Sequence, residues 1–197
     1  MSDTETILAA VTAFADKAHG DQVRKYTPER YIEHPKRVME TCRQYTHDVA
    51  ILSAALMHDV LEDTPVTAEE IRRFLSGIMD EAAEKRTVAL VQELTDVYVT
   101  KNYPKWNRRK RKAKEAERME KTSPAAQSIK YADIMDNCDA IVYNDREFAG
   151  VFLNECRTLL KKMNLGNKEL YQRAVQMVDN ALLQLKGGSG SANSSTN

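Results

Sequence analysis

The chain has 197 residues, 42% hydrophobic and 29% charged, the length and balance of one globular domain with a sizeable core. Its 29 basic and 29 acidic side chains cancel, so no global charge draws it to a nucleic acid polymer or a membrane, and electrostatic recognition must be local. No apolar run approaches the roughly 20 residues that span a bilayer. The acidic N-terminal stretch lacks the basic and apolar regions of a signal peptide, and three scattered cysteines form no CxxC pair. A reducing, cytoplasmic setting is therefore expected, without a disulfide framework or a cysteine zinc site.

No segment alternates with the period of a strand, whereas helical periodicity recurs along nearly the whole chain. Ile7, Leu8, Val11, Phe14, Ala15 and Ala18 form one apolar stripe, opened by a Ser2-x-x-Glu5 capping box and closed at Gly20. After a polar loop containing Pro28, His34-Pro35 marks a second helix, with proline expected at its first position. The most apolar helix is expected over 49–63, ended by Pro65, and Thr67 begins another over 68–75. Further helices are expected over 79–95 and 105–121, from Ser123-Pro124 to Tyr143, and over 147–163 and 167–186. The chain thus predicts an all-α, single-domain bundle of about eight to ten helices over 1–186. The Gly- and Ser-rich tail 187–197 has no means of packing and is expected to be disordered.

Charged groups stand out in the most apolar helix. His58, Asp59, Glu62 and Asp63 follow the run ILSAALM, and on an unbroken helix His58 lies above Glu62 and Asp59 above Asp63. A solvated last turn explains such a cluster as readily as a divalent cation does, although imidazole with carboxylate suits a first-row metal. His34 at a helix start and Asp133 on a largely apolar face are the residues that could complete a site, with Asn137 one turn beyond. Singly, each has an ordinary explanation, since a buried aspartate is more often paired than a ligand. His47-Asp48 is a second His-Asp dipeptide, but it lies in a polar link where Thr46 or Asp48 serves as an N-cap.

Taken together, RKYTPERYIEHPKRV (24–38), AALMHDVLEDT (54–64), ELTD (93–96) and KYADIMDN (130–137) carry the order His…His-Asp…Asp. The sequence resembles the HD phosphohydrolase superfamily, and within it the hydrolase domain of RelA/SpoT homologues of the free-standing, small alarmone hydrolase type. The resemblance implies an HD-type helical bundle with His34, His58, Asp59 and Asp133 as ligands of one metal, usually manganese. It implies Glu62 and Asp63 as the groups that orient and deprotonate the attacking water. The implied reaction removes the 3′-pyrophosphate of guanosine tetra- or pentaphosphate, (p)ppGpp, to leave GDP or GTP and pyrophosphate. Arg24, Lys25 and Asn137 are the implied nucleotide contacts, while Tyr31 is expected to pack behind the metal site.

The densest basic run, 101–121, reads either as a solvated helical face or as a cationic rim for a multiply charged nucleotide, with Lys101, Lys105 and Arg109 as candidates. Trp106 alone is too few aromatics for a single-strand stacking platform. Ile134 and Asp136 depart from the family pattern, and so do Phe148 and Phe152, around which some relatives carry an Arg and a Tyr near the phosphates. These departures leave open an adenosine alarmone, (p)ppApp, or the 2′-phosphate of NADPH as substrate of the same site. A nucleotide sensor without turnover is disfavoured because binding alone does not need Glu62 and Asp63.

Overall fold

A computed structural model describes residues 4–25 and 27–187. Among them are ten helical segments and no strand: α1 Thr4–His19, α2 Glu33–Arg43, α3 Val49–Met57, α4 Val60–Asp63, α5 Ala68–Leu75, α6 Glu81–Leu94, α7 Arg108–Met119, α8 Pro124–Asn144, α9 Arg146–Lys162 and α10 Lys168–Gly187. The all-α expectation holds. Ser2, expected in a capping box, and residues 188–197 of the tail lie outside the described residues, while Gly187, expected in that disordered tail, is the last residue of α10.

The helix starts follow side-chain chemistry. Asp48, Thr67, Asp80, Asn107, Ser123 and Asp145 each accept a backbone N–H of the first turn that has no partner inside its helix. Thr67 and Glu70 complete a capping box. Gly20 closes α1 at φ 57°, a conformation that glycine adopts without steric cost. His47 is exposed and Asp48 caps α3, so the second His-Asp dipeptide serves the backbone.

Two expectations need correction. The helix expected over 49–63 is broken after Met57, and His58 and Asp59 form the turn between α3 and α4. His58 Nδ1 lies 2.8 Å from the Ala55 carbonyl, the acceptor that residue 59 would use in a continuous helix. Proline 35 is not the first residue of α2 but its third, because the backbone already turns at Tyr31 and Ile32. It remains within the first turn, where a missing N–H costs nothing.

Helix α3 has no polar face, and from Leu52 to Met57 every residue is buried. It packs against α1, α2, α6 and α8, while α8 also meets α6, α9 and α10. Burial of each large side chain, such as Leu52, Leu56 or Met57, contributes roughly 1.5–3 kcal/mol. The same packing drives the turn after Met57 into the centre of the bundle. Tyr131, fully buried, donates from its hydroxyl to the Met163 carbonyl at 2.9 Å and anchors α8 to the α9–α10 connection.

That anchor leaves no room beside Gly166. A Cβ there would stand 2.6 Å from Tyr131 Cε2 and 2.9 Å from the Ser128 backbone nitrogen. Gly166→Ala should therefore destabilise the fold by roughly 1–3 kcal/mol, read as a lower urea midpoint at unchanged m.

Candidate metal centre and cleft

Three elements deliver the central side chains. α2 supplies His34, the α3–α4 turn supplies His58 and Asp59, and α8 supplies Asp133. His34 and His58 are 1% and 2% exposed, so neither imidazole can turn to water for a partner. His34 Nε2 lies 3.6 Å from Asp59 Oδ2 and 3.2 Å from Asp133 Oδ1; for His58 Nε2 the distances are 3.0 and 3.7 Å. One ligand atom each from His34, His58 and Asp59 falls within a 4.8 Å cluster.

The other ring nitrogens decide what these distances mean. His34 Nδ1 faces Asp136 Oδ2 at 2.6 Å and His58 Nδ1 faces the Ala55 carbonyl at 2.8 Å. Both partners are acceptors, so each neutral ring donates through Nδ1 and turns an Nε2 lone pair inward. Two lone pairs then confront two carboxylate oxygens, a set of acceptors with no donor among them. His58 Nε2 is buried without a hydrogen-bond partner. Either a proton or a metal cation must lie between these atoms, and two imidazoles with two carboxylates form a donor set suited to a divalent first-row ion.

Electrostatics describes the proton alternative. Burial disfavours a charged His58, but Asp59 and Asp133 outweigh it and push the imidazole up to about 10. Burial would raise Asp59 and Asp133, yet His58 holds the first below the usual carboxylate range and Lys130, with both histidines, holds the second there. The pocket is thus an anionic trap, where a divalent ion can replace protons on binding.

A second layer fixes the carboxylates. Lys130 Nζ sits 2.8 Å from Asp133 Oδ2, and Asn137 donates to Asp133 Oδ1 at 2.6 Å. The Tyr31 hydroxyl lies 2.8 Å from both Asp59 Oδ2 and Asp63 Oδ2, and its ring stacks on His19. At the rim, Glu62 Oε2 accepts the Asp96 N–H at 3.1 Å, and Asp96 is paired with Lys112 at 2.8 Å. Glu62 keeps solvent contact overall, but the protein enclosing its carboxylate, and then the negative charge of Asp96, push it up to about 7. Asp63 is raised by the same enclosure and by Asp59.

Beside Asp133 opens a cavity of about 140 Å³, lined by Lys130, Lys112, Arg108, Asn137 and Phe152 among others. Arg108, Asn137 and Phe152 also line a broader cleft of about 460 Å³ with Arg24, Lys25 and Phe148. The cations of these walls have acidic neighbours. Arg24 is 3.7 Å from Asp136, Lys25 3.6 Å from Asp145, and Arg108 forms a fork on Glu155 with two 2.8 Å bonds. Arg24 also donates to Asn137 at 2.8 Å.

The residues singled out in the sequence are therefore unevenly placed. His34, His58, Asp59 and Asp133 converge, Glu62 and Asp63 stand at their rim, and Arg24, Lys25 and Asn137 border the cleft. Lys101 and Lys105 are exposed between α6 and α7 and line neither cavity, and Arg109 faces an adjoining hollow along α7 and α9. Arg108 and Lys112 occupy the wall instead. Trp106 is not alone, because Tyr98 and Tyr103 cluster with it. Lys110, 4.1 Å from the Trp106 ring centroid, covers it as well, so the rings occupy one another. Sequence reasoning missed Lys130, Asp96, Arg108 and the contact made by Asp136. Lys130 had a usable signal, its i, i+3 spacing to Asp133.

The chain matches the HD domain family over residues 10–137. It is 36% identical over 131 residues to the human guanosine-3′,5′-bis(diphosphate) 3′-pyrophosphohydrolase MESH1, a match spanning 63% of each chain. To the Xenopus tropicalis protein of the same name it is 36% identical over 144 residues, 69% of each chain. A solved structure described as a metazoan orthologue of SpoT that hydrolyses ppGpp superposes with a TM-score of 0.74 at 22% identity, covering 93% of this chain and 98% of that one. The structural likeness establishes the shared all-α fold.

Titrating manganese into chelator-treated protein should raise its Tm, with a stabilisation approaching ~2.7 kcal/mol once free metal reaches about a hundred times Kd. Asp59→Ala should abolish that response; an undiminished shift in the variant would remove Asp59 from the ligand set.

Proposed function

The chain belongs to the HD domain family, and from that premise we propose that it hydrolyses the 3′-pyrophosphate of a ppGpp-type guanosine nucleotide, with manganese held by His34, His58, Asp59 and Asp133. The observation that carries this reading is the inward pair of imidazole lone pairs facing two carboxylates at the end of a cation-lined cleft. The activity for which the MESH1 relatives are named supports the substrate class. Bound there, a divalent cation supplies Lewis-acid stabilisation of charge on a phosphoryl oxygen.

The chain's own residues do the rest. Glu62, at the rim beside the turn that carries His58 and Asp59, is the carboxylate that takes a proton from water. As the water oxygen bonds to the inner phosphorus of the 3′-diphosphate, the bond from that phosphorus to the ribose 3′-oxygen breaks. The proton taken up by Glu62 returns through solvent to that oxygen, and pyrophosphate and a nucleotide with a free 3′-hydroxyl leave. Asp63, tied through Tyr31 to Asp59, orients the water and keeps the turn in register. Arg24 and Asn137 present guanidinium and amide to the nucleoside, and Lys25 and Arg108 meet its phosphates. Lys130 holds Asp133 with one oxygen turned inward.

Chromatography of guanosine tetraphosphate after incubation with the purified protein should show GDP and pyrophosphate with manganese and neither with chelator. Turnover of the adenosine analogue or of NADPH, with the guanosine compound untouched, would move the substrate and keep the centre.

Two further outcomes concern Glu62. As a base it must be ionised, so kcat should rise with pH towards a plateau, and Glu62→Gln should lose about 100-fold or more. Its folded pKa of about 7 lies above the ordinary 4.5, so the folded protein loses stability from this group as pH rises through that window. In chelator, Glu62→Gln should therefore gain Tm over wild type at pH 8 and not at pH 4.

A further inference from the structure

The two histidines of the centre have their tautomers set in different ways. His58 is oriented by the Ala55 carbonyl, a backbone group that every sequence supplies. His34 is oriented by a side chain, Asp136, whose Oδ2 lies 2.6 Å from Nδ1. The ring is 1% exposed, so no water takes that place. Asp136 cannot swing away, because Arg37 Nε binds its Oδ1 at 2.5 Å. Arg37 in turn reaches Glu29 Oε1 at 2.6 Å, in the loop between α1 and α2 that carries Arg24 and Lys25. On α8, Asp136 is three residues beyond Asp133, so one helix supplies both an oxygen facing the centre and the acceptor behind the facing histidine.

We propose that Asp136 is a positioning residue: its carboxylate holds His34 as the Nδ1–H tautomer with Nε2 free for the metal, and through Arg37 and Glu29 it ties the nucleotide-binding loop to the same ring. The proposal rests on His34 being a metal ligand. A carboxylate behind a ligating imidazole fixes the ring's orientation and raises its basicity, and losing such a partner typically weakens metal binding 10–100-fold. Asp136 was a departure from the family pattern in the sequence; in the structure it supports the ligand set.

The test is calorimetric titration of manganese into the chelator-stripped full chain, as wild type, Asp136→Ala and Asp136→Asn. Asp136→Ala should weaken manganese by 10-fold or more, and Asp136→Asn, which can accept from Nδ1–H only by turning its NH2 toward Arg37 Nε, should weaken it as well. A merely structural role would lower Tm in chelator and leave the Kd unmoved. Equal affinity in wild type and Asp136→Ala overturns the proposal. Nitrogen-15 spectra of the metal-free wild type, with the His34 ring neutral, should show the hydrogen on Nδ1. A hydrogen on Nε2 there overturns the proposal even if Asp136→Ala does not fold. Failure of wild type to bind manganese would instead overturn the ligand reading, while the spectra still read the hold of Asp136 on His34.

Discussion

Inside the bundle, two imidazole lone pairs and two carboxylate oxygens are turned toward one another, and they repel unless something positive lies between them. Much of the surrounding architecture serves to maintain that arrangement. An α3 apolar on all sides carries the turn with His58 and Asp59 into the interior, and the Ala55 carbonyl both breaks the helix and sets the ring. Lys130 and Asn137 hold Asp133 from α8, and Tyr31 spans Asp59 and Asp63. An uncompensated cluster of this kind would cost several kcal/mol, so the fold is coupled to whatever proton or cation compensates it.

How much of this was legible in the sequence depended on the range of the interaction. Helix starts were readable because a cap is a local event: Thr67 with Glu70, or Ser123 before Pro124, announces itself within a few residues. The polar group at the end of the α3 run was readable because nothing else in that helix is charged. The break at His58 was not, since periodicity continues across it and the cause is a side chain capturing a carbonyl three residues back. The cleft wall was harder still. Arg108 was indistinguishable from its neighbours in a basic run, and its distinction comes from Glu155, 47 residues away. Asp136 reads in the sequence only as a departure from the family pattern because its partners, His34 and Arg37, are about a hundred residues distant.

Family membership and geometry inform different parts of the reading. The HD domain match spans α1 to the middle of α8 and so includes the whole centre. It stops at Asn137, before α9, which supplies Phe148, Phe152 and Glu155 to the cleft. The four residues that converge on the centre thus lie in the shared segment, while part of the cleft wall comes from a helix beyond it.

The acid partners along the cleft have a consequence for how an anion would enter. Arg24, Lys25 and Arg108 already face Asp136, Asp145 and Glu155 at 3.7, 3.6 and 2.8 Å before any ligand arrives. A phosphate reaching them exchanges one anionic partner for another instead of displacing a cloud of small ions. Affinity should then vary less with ionic strength than at a bare basic surface, and the work of opening these pairs becomes a means of telling apart ligands by where their charges sit.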